Sequence, residues 1–168
     1  IATSTGGPNN TGGLEAADKL CQDEAMAAGL PNFQAFKALL ATTTASALSR
    51  FAVNPTDEPW VRVGDNQPLT ATESAMRNGQ LGTLIVAPNV TAAGQRLGNI
   101  EIWTGAPRPT DLGPNTSATC GNWKSPTTTK SSGGLGYDTG VSTYWFGAFN
   151  NVLDCAVGRR LVCMENLQ

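Results

Sequence analysis

Residues 14–28 read LEAADKLCQDEAMAA and form the most regular pattern in the chain. Their small and apolar members recur on one helix face: Leu14, Ala17, Cys21, Ala25 and Ala28. The charged residues of the stretch lie mostly on the other faces. Gly29 then offers a natural helix end, and Pro31 follows it. The stretch therefore predicts an amphipathic helix over residues 14–28 that directs Cys21 towards a hydrophobic core.

The rest of the chain predicts short elements separated by long loops. Strands are predicted at 1–4, 33–42, 60–63, 84–86, 100–104 and 161–164. Residues 33–42 form either a strand or a strand followed by a turn. A short helix is predicted at 70–77, and another, capped by Thr43 or Thr44, runs through Phe51. Residues 125–140 are rich in Ser, Thr and Gly and predict an exposed loop. Without an internal repeat or a linker, the 168 residues predict one α+β domain spanning 1–168.

Composition and charge exclude several classes of function. Charged residues make up 14% of the chain, and 11 Lys and Arg stand against 13 Asp and Glu. Nucleic-acid binding is not expected, because a protein that neutralises many phosphates needs a basic excess. Membrane insertion is not expected either, since no apolar run reaches the ~18 residues of a spanning helix. The absence of histidine excludes a Ser-His-Asp triad, a Cys-His pair and a His-ligated zinc site.

The four cysteines favour disulfide bonds. Cys21, Cys120, Cys155 and Cys163 contain no CxxC pair, so neither a zinc knuckle nor a thioredoxin-type motif is indicated. An even number in a Thr-, Ser- and Gly-rich chain favours an oxidising compartment, and we expect a secreted or cell-surface protein. The alternative is four buried thiols in a cytosolic protein. Four cysteines allow three disulfide connectivities, and the spacing alone leaves all three open.

Three stretches together resemble a known family. Their motifs are GGLEAAD at 12–18 with Cys21 and AGL at 28–30, IWTG at 102–105 with Cys120 and Trp123, and Cys155 with RLVC at 160–163 and EN at 165–166. In order and spacing they look like the endostatin domain, which is related to the C-type lectin-like fold. They are also similar to a family of uncharacterised bacterial surface proteins and lipoproteins of that shape. The resemblance covers nearly the whole chain.

This resemblance implies a fold and a disulfide pairing. The fold is a twisted, mostly antiparallel sheet with two or three helices, the first of them packed on the sheet, and long loops. The pairing is nested, with Cys21 bonded to Cys163 and Cys120 bonded to Cys155. In C-type lectin-like domains the long loop region, here between Cys120 and Cys155, usually holds the ligand site.

The chain also departs from that family, and the departures bear on function. Endostatin's zinc ligands include histidines, which this chain lacks, and its heparin binding uses a basic surface, whereas this chain has a net charge of −2. Lectin-type calcium motifs are incomplete, since Glu58-Pro59 is not followed by Asn and no Trp-Asn-Asp occurs. No metal and no other cofactor are therefore expected.

The candidate ligand residues lie between Cys120 and Cys155. Flat aromatic rings beside amide and carboxylate groups suit sugar and protein ligands. The residues of these types that we select are Asn122, Trp123, Tyr137, Asp138, Asn150 and Asn151. The alternative interpretation of Trp123, as of Trp103 and Trp145, is that the indole ring packs in the core.

These observations predict a non-enzymatic binding or adhesion domain for a glycan or a surface protein of another cell or matrix. An alternative is the structural tip or capping module of an oligomeric surface fibre, for example a homotrimer joined through an upstream segment. A third interpretation is a hydrolase that depends on Asp or Glu, with Asp111, Asp138 and Asp154 as its loop carboxylates.

Overall fold

The computed structural model describes residues 2–3, 12–78, 84–99, 101–125, 135–137, 145–147 and 154–166. Its strands are β1 (Ala2–Thr3), β2 (Phe36–Ala38), β3 (Glu101–Trp103), β4 (Leu135–Tyr137) and β5 (Val162–Glu165). Its α-helices are α1 (Gly13–Ala27) and α2 (Glu73–Arg77), and single 3₁₀ turns occupy Phe33–Ala35 and Leu48–Arg50. A further helical turn, Cys120–Trp123, has unusual geometry and is described with the site. The protein is therefore α+β, as predicted.

β5 lies at the centre of a small antiparallel sheet in the order β1-β5-β2. Cys163 on β5 is opposite Ala2 on one side and Ala38 on the other. A second antiparallel pair joins β3 to β4, with Ile102 opposite Gly136. The two sheets adjoin, because the Trp103 amide of β3 donates to the Arg160 carbonyl, two residues before β5, at 2.9 Å. Strand β5 is thus hydrogen-bonded to β1 on one side and to β2 on the other.

Helix α1 forms as the apolar pattern predicts, within one residue at each end. Its buried face carries Ala17, Cys21 and Ala25, each 1% exposed. Gly29 has a φ of +70°, which a residue without a Cβ adopts freely. The amides of Gly29 and Leu30 donate to carbonyls of the last helical turn at 3.0 Å, which completes a Schellman cap.

Side chains from α1 and from the Leu48–Arg50 turn cover the outer edge of β2. The Ala38 amide donates to Asp18 Oδ1 at 2.9 Å, and Arg50 Nη1 donates to the Ala38 carbonyl at 2.7 Å. Arg50 and Asp18 also form an ion pair of 2.6 Å, with both side chains largely buried. Because these groups occupy the free hydrogen-bonding positions of Ala38, another strand cannot pair there.

The core consists of two clusters of buried residues. One surrounds the disulfides and includes Trp103 and Trp123, whose rings meet edge to face at 5.9 Å. The other includes Trp60 and Trp145. All four tryptophans are at most 4% exposed. The core interpretation of Trp103, Trp123 and Trp145 is confirmed.

The nested disulfide pairing is also confirmed. Cys21 bonds to Cys163 and Cys120 bonds to Cys155, with Cα–Cα distances of 5.5 and 5.7 Å. All four cysteines are at most 3% exposed. The outer bond connects α1 to β5 and so joins the first long helix to the central strand.

Several predicted elements are shorter than expected or absent. The described residues 84–86 form no strand, and residues 60–63 contribute only one bridge, from Val61 to Pro68. The helix predicted after Thr43 and Thr44 shrinks to the Leu48–Arg50 turn, which has no side-chain cap. In contrast, β4 lies inside the predicted 125–140 loop. Short apolar runs become strands only where a partner strand reaches them. Among the described residues, no helix combines the length and apolar character needed to cross a membrane.

Candidate functional site

Residues 121–154, here called the inner segment, are closed at their base by the Cys120–Cys155 disulfide. Both cysteines are 0% exposed, so the base of the segment is part of the core. The bond brings the ends of a 35-residue separation to a Cα–Cα distance of 5.7 Å. The inner segment therefore leaves and rejoins the scaffold at one place.

Among its described residues, the inner segment has two further stretches that contact the scaffold. Strand β4 pairs with β3 over three residues. Trp145 and Phe146 are buried, and their rings lie edge to face at 5.4 Å. Gly147 lies against Pro107 so closely that a Cβ added there would come within 2.1 Å of the Pro107 carbonyl oxygen. The segment thus contacts the scaffold at its base, at β4 and at residues 145–147.

The predicted ligand residues fall on different parts of this segment. Asp138, Asn150 and Asn151 lie outside the residues that the structure describes. Tyr137 is the last residue of β4, with its backbone opposite Glu101. Asn122 and Trp123 lie at the base of the segment, in the turn after Cys120. Their proposed contact with a ligand stays a prediction.

The base of the inner segment is a left-handed turn. Cys120, Gly121, Asn122 and Trp123 have φ values of 50°, 64°, 56° and 66°. Left-handed backbone costs roughly 1–2 kcal/mol for each residue that carries a Cβ, with Asn among the more tolerant. Hydrogen bonds close the turn, among them one from the Trp123 amide to the Thr119 carbonyl at 2.7 Å. The turn is strained and is held by its surroundings.

The Asn122 side chain joins this turn to the stretch that follows β2. Its Oδ1 accepts from the Thr43 amide at 2.9 Å and from the Thr119 hydroxyl at 3.1 Å. Its Nδ2 lies 3.2 Å from Thr43 Oγ1, close enough to donate. The carboxamide that we selected as a ligand contact is therefore engaged within the protein across a separation of 79 residues.

Trp123 is held in the core next to Asn122. Its ring is 2% exposed, and its Nε1 donates to the Ala41 carbonyl at 2.8 Å. A Cβ added to Gly105 would lie 2.8 Å from the indole Cζ2, so the neighbouring backbone already contacts the ring closely. The indole thus fixes the turn to residue 41, two positions before Thr43.

A cleft of about 360 Å³ opens beside this turn. Its lining residues come from three parts of the chain: Gly12, Gly13, Leu14, Glu15, Thr42, Thr44, Ala45, Asn122 and Lys124. The Lys124 side chain lies across the start of α1, where a Cβ added to Gly13 would be 3.2 Å from Lys124 Cε. Within the described residues, neither Lys124 nor Glu15 forms an ion pair. The surface of the cleft is more apolar than polar, and Glu15 and Lys124 contribute one charge of each sign to its lining.

The sequence predicts neither the cleft nor the hydrogen bond between Asn122 and Thr43. It indicates Thr43 only as a helix cap and gives no signal for Lys124. The local signal was the Gly121-Asn122 pair, because Gly and Asn are the residues that best tolerate left-handed backbone. The Thr43 contact has no such local signal.

The described loop carboxylates have structural partners. Asp111 Oδ2 lies 3.6 Å from Arg108 Nε, and Asp154 Oδ1 accepts from the Ala156 amide at 2.9 Å. Asp138, the third residue of the hydrolase alternative, lies outside the described residues. In the described part of the chain, no group of three or more His, Cys, Asp or Glu side chains could hold a metal ion.

Away from the cleft, hydrogen bonds lower the pKa of two carboxyl groups. Hydrogen bonding from the buried Arg62 side chain lowers the pKa of Asp65. Hydrogen bonding from Ser74 lowers the pKa of Asp57 and places this carboxylate at the start of α2. Both carboxylates stabilise loops between β2 and β3.

Neither a scan against protein-family models nor a search of curated proteins finds a match to this chain. Function is therefore inferred from the geometry of the chain and from the resemblance of its motifs to endostatin and C-type lectin-like domains.

Proposed function

We propose that this chain is an extracellular or cell-surface binding domain that recognises a glycan or protein ligand through the inner segment. The observation that supports the proposal is the attachment of this segment to the scaffold at its disulfide base, at β4 and at residues 145–147. Binding residues are commonly carried by loops that a rigid scaffold positions.

The spacing of these attachments supports a binding role on energetic grounds. A binding loop loses conformational entropy when a ligand orders it, and the loss is smaller when its ends are already fixed. In sequence, the stretches between these described attachments are 126–134, 138–144 and 148–153, each shorter than ten residues. These stretches and their borders carry Tyr137, Asp138, Asn150 and Asn151, which suit sugar or protein contacts.

The disulfides support the proposed location. Both bonds are buried, and disulfides persist mainly in oxidising compartments. A secreted or surface protein is consistent with these bonds. We further propose, from the same resemblance to endostatin and C-type lectin-like domains, that the scaffold serves binding without catalysis.

A glycan array and a pull-down from surface-exposed proteins test the proposal with the intact chain. Once a ligand is found, its affinity is measured for two double variants and for the control Gln95→Ala. One double variant carries Tyr137→Ala and Asp138→Ala, and the other carries Asn150→Ala and Asn151→Ala. Gln95 is exposed and lies outside the inner segment.

We expect at least one inner-segment pair to weaken binding about tenfold, the loss of about 1.4 kcal/mol. The control should bind within about twofold of the wild type on the same scale. No binding above background by a folded chain, or full binding by both pairs, would refute the proposal. Circular dichroism establishes that each variant is folded.

A second candidate is the capping module of a surface fibre, and the covered edge of β2 favours it. A terminal module should not extend its own sheet, and Asp18 and Arg50 occupy the free edge at Ala38. Sedimentation at several concentrations distinguishes the two candidates. The capping module would be favoured if the chain forms a stable trimer and both double variants of the inner segment leave trimer assembly and ligand binding unchanged.

A further inference from the structure

The left-handed turn Cys120–Trp123 contacts two separate parts of the molecule. Through Cys120 it is bonded to Cys155 at the far end of the inner segment. Hydrogen bonds also join Asn122 to Thr43 and Trp123 to Ala41, just after β2. One turn of four residues therefore links the base of the inner segment to the 41–45 stretch.

The strain in this turn makes its contacts interdependent. A left-handed backbone persists in residues with a Cβ only where the surrounding structure holds it. If Asn122 relaxed to a right-handed conformation, its carboxamide would leave Thr43 and the neighbouring Cα atoms would move. The same movement would displace Cys120, whose position the Cys120–Cys155 bond requires. Loss of either contact thus removes part of what holds the other.

We propose that the Cys120–Trp123 turn is a latch that couples the inner segment to the 41–45 stretch. Release at the disulfide end loosens the contacts to Thr43, and release at Asn122 loosens the disulfide end. The proposal goes beyond the binding function and does not depend on any ligand.

The latch also determines the shape of the cleft. Thr42 and Thr44 line the cleft from one part of the chain, and Asn122 and Lys124 line it from another. The Thr43 amide and Asn122 Oδ1, 2.9 Å apart, join these two parts. Opening of the latch separates the two parts, so a change at the inner segment reaches the cleft.

Reduction kinetics test the latch from the Asn122 end. Because Cys120 and Cys155 are both fully buried, dithiothreitol reaches their bond only after a local opening, and release of the latch is such an opening. The variant Asn122→Ala removes the contacts to Thr43. Asn66→Ala is the matched control, since Asn66 has a φ of 54° and is exposed. Asn122→Gly keeps left-handed backbone accessible and removes only the side chain.

In Asn122→Ala and Asn122→Gly, we expect the Cys120–Cys155 bond to be reduced at least about fivefold faster than in the wild type, the lower end of typical site-to-site coupling. The Cys21–Cys163 bond should keep its rate, and Asn66→Ala should leave both rates unchanged. Thiol labelling and peptide mass spectrometry distinguish the two bonds. Equal reduction rates of the inner bond in Asn122→Ala, Asn66→Ala and the wild type would overturn the proposal.

Hydrogen exchange tests the latch from the disulfide end. In the variant that carries both Cys120→Ala and Cys155→Ala, the Thr43 amide should exchange at least about fivefold faster relative to the Leu39 amide than in the wild type. Leu39 donates to the Val162 carbonyl of β5 and reports the stability of the sheet. An unchanged ratio of the two rates would contradict the latch. If the double variant does not fold, the reduction experiment decides.

Discussion

Removal of each disulfide separately measures how the nested pairing stabilises the fold. The two variants carry Cys21→Ala with Cys163→Ala, or Cys120→Ala with Cys155→Ala. The bonds close sequence separations of 142 and 35 residues. Loop-closure entropy then assigns about 5 kcal/mol to the outer bond and about 4 kcal/mol to the inner bond at 25 °C. The inner bond shortens the path around the outer loop, which lowers the outer contribution by only about 0.3 kcal/mol.

The comparison between the two variants isolates the loop contribution. Each variant loses two buried sulfur atoms, so the packing cost is similar in both and cancels in the difference. We therefore expect the outer variant to be the less stable of the two by about 1 kcal/mol. Both losses are large beside the 5–15 kcal/mol that is typical of the total stability of a domain.

Guanidinium unfolding followed by tryptophan fluorescence is the assay. All four tryptophans are at most 4% exposed, so their emission changes when the core opens. A greater loss of stability in the inner variant than in the outer one would contradict the loop-entropy explanation. So would a decrease of less than about 2 kcal/mol in the free energy of unfolding when the outer bond is removed. The slope of the transition must stay comparable for the free energies to be compared.

Three further predictions concern the backbone, the core and pH. Gly29→Ala should lower the free energy of unfolding by about 1 kcal/mol, whereas Gly98→Ala, also in open space but without a positive φ, should not lower it; thermal melting checks both. Trp123→Phe leaves a buried carbonyl without its donor and should lower stability by about 1–3 kcal/mol in guanidinium unfolding; an unchanged midpoint would contradict the hydrogen bond. Because the pKa of Asp65 is lowered, chiefly by hydrogen bonding from Arg62, its contribution to stability is present above pH ~4 and lost as pH falls through the lowered value. Asp65→Asn should therefore reduce the decrease in melting temperature between about pH 6 and about pH 2. An unchanged dependence of the melting temperature on pH would contradict the assignment.

The helix α1 and the last strand could be predicted from the sequence because their signals are local. The spacing of small residues up to Ala25 and the glycine at position 29 determine where α1 lies and where it ends. The run at 161–164 is continuously apolar, and β5 forms over Val162–Glu165, one residue later than predicted. The disulfide pairing followed from the resemblance, since spacing alone left three connectivities open.

Strand β4 and the contact between Asn122 and Thr43 could not be predicted, because each depends on a distant part of the chain. Leu135–Tyr137 lies in a Ser- and Gly-rich stretch and becomes a strand through pairing with Glu101–Trp103. Asn122 is held by Thr43, which is 79 residues away in sequence. Of the six candidate ligand residues, Trp123 is in the core and the Asn122 carboxamide is bonded within the protein.

Local sequence is enough to exclude histidine-dependent chemistry, to assign Cys21 to the buried face of α1, and to predict the approximate positions of the strongest elements. These properties depend on residue type and on periods of a few residues. Tertiary contacts determine which short segments pair, hold four consecutive residues in a left-handed turn, and bring three parts of the chain together around a cleft. A strained turn is stable only when contacts from elsewhere compensate its cost, and those contacts exist only after the chain has folded.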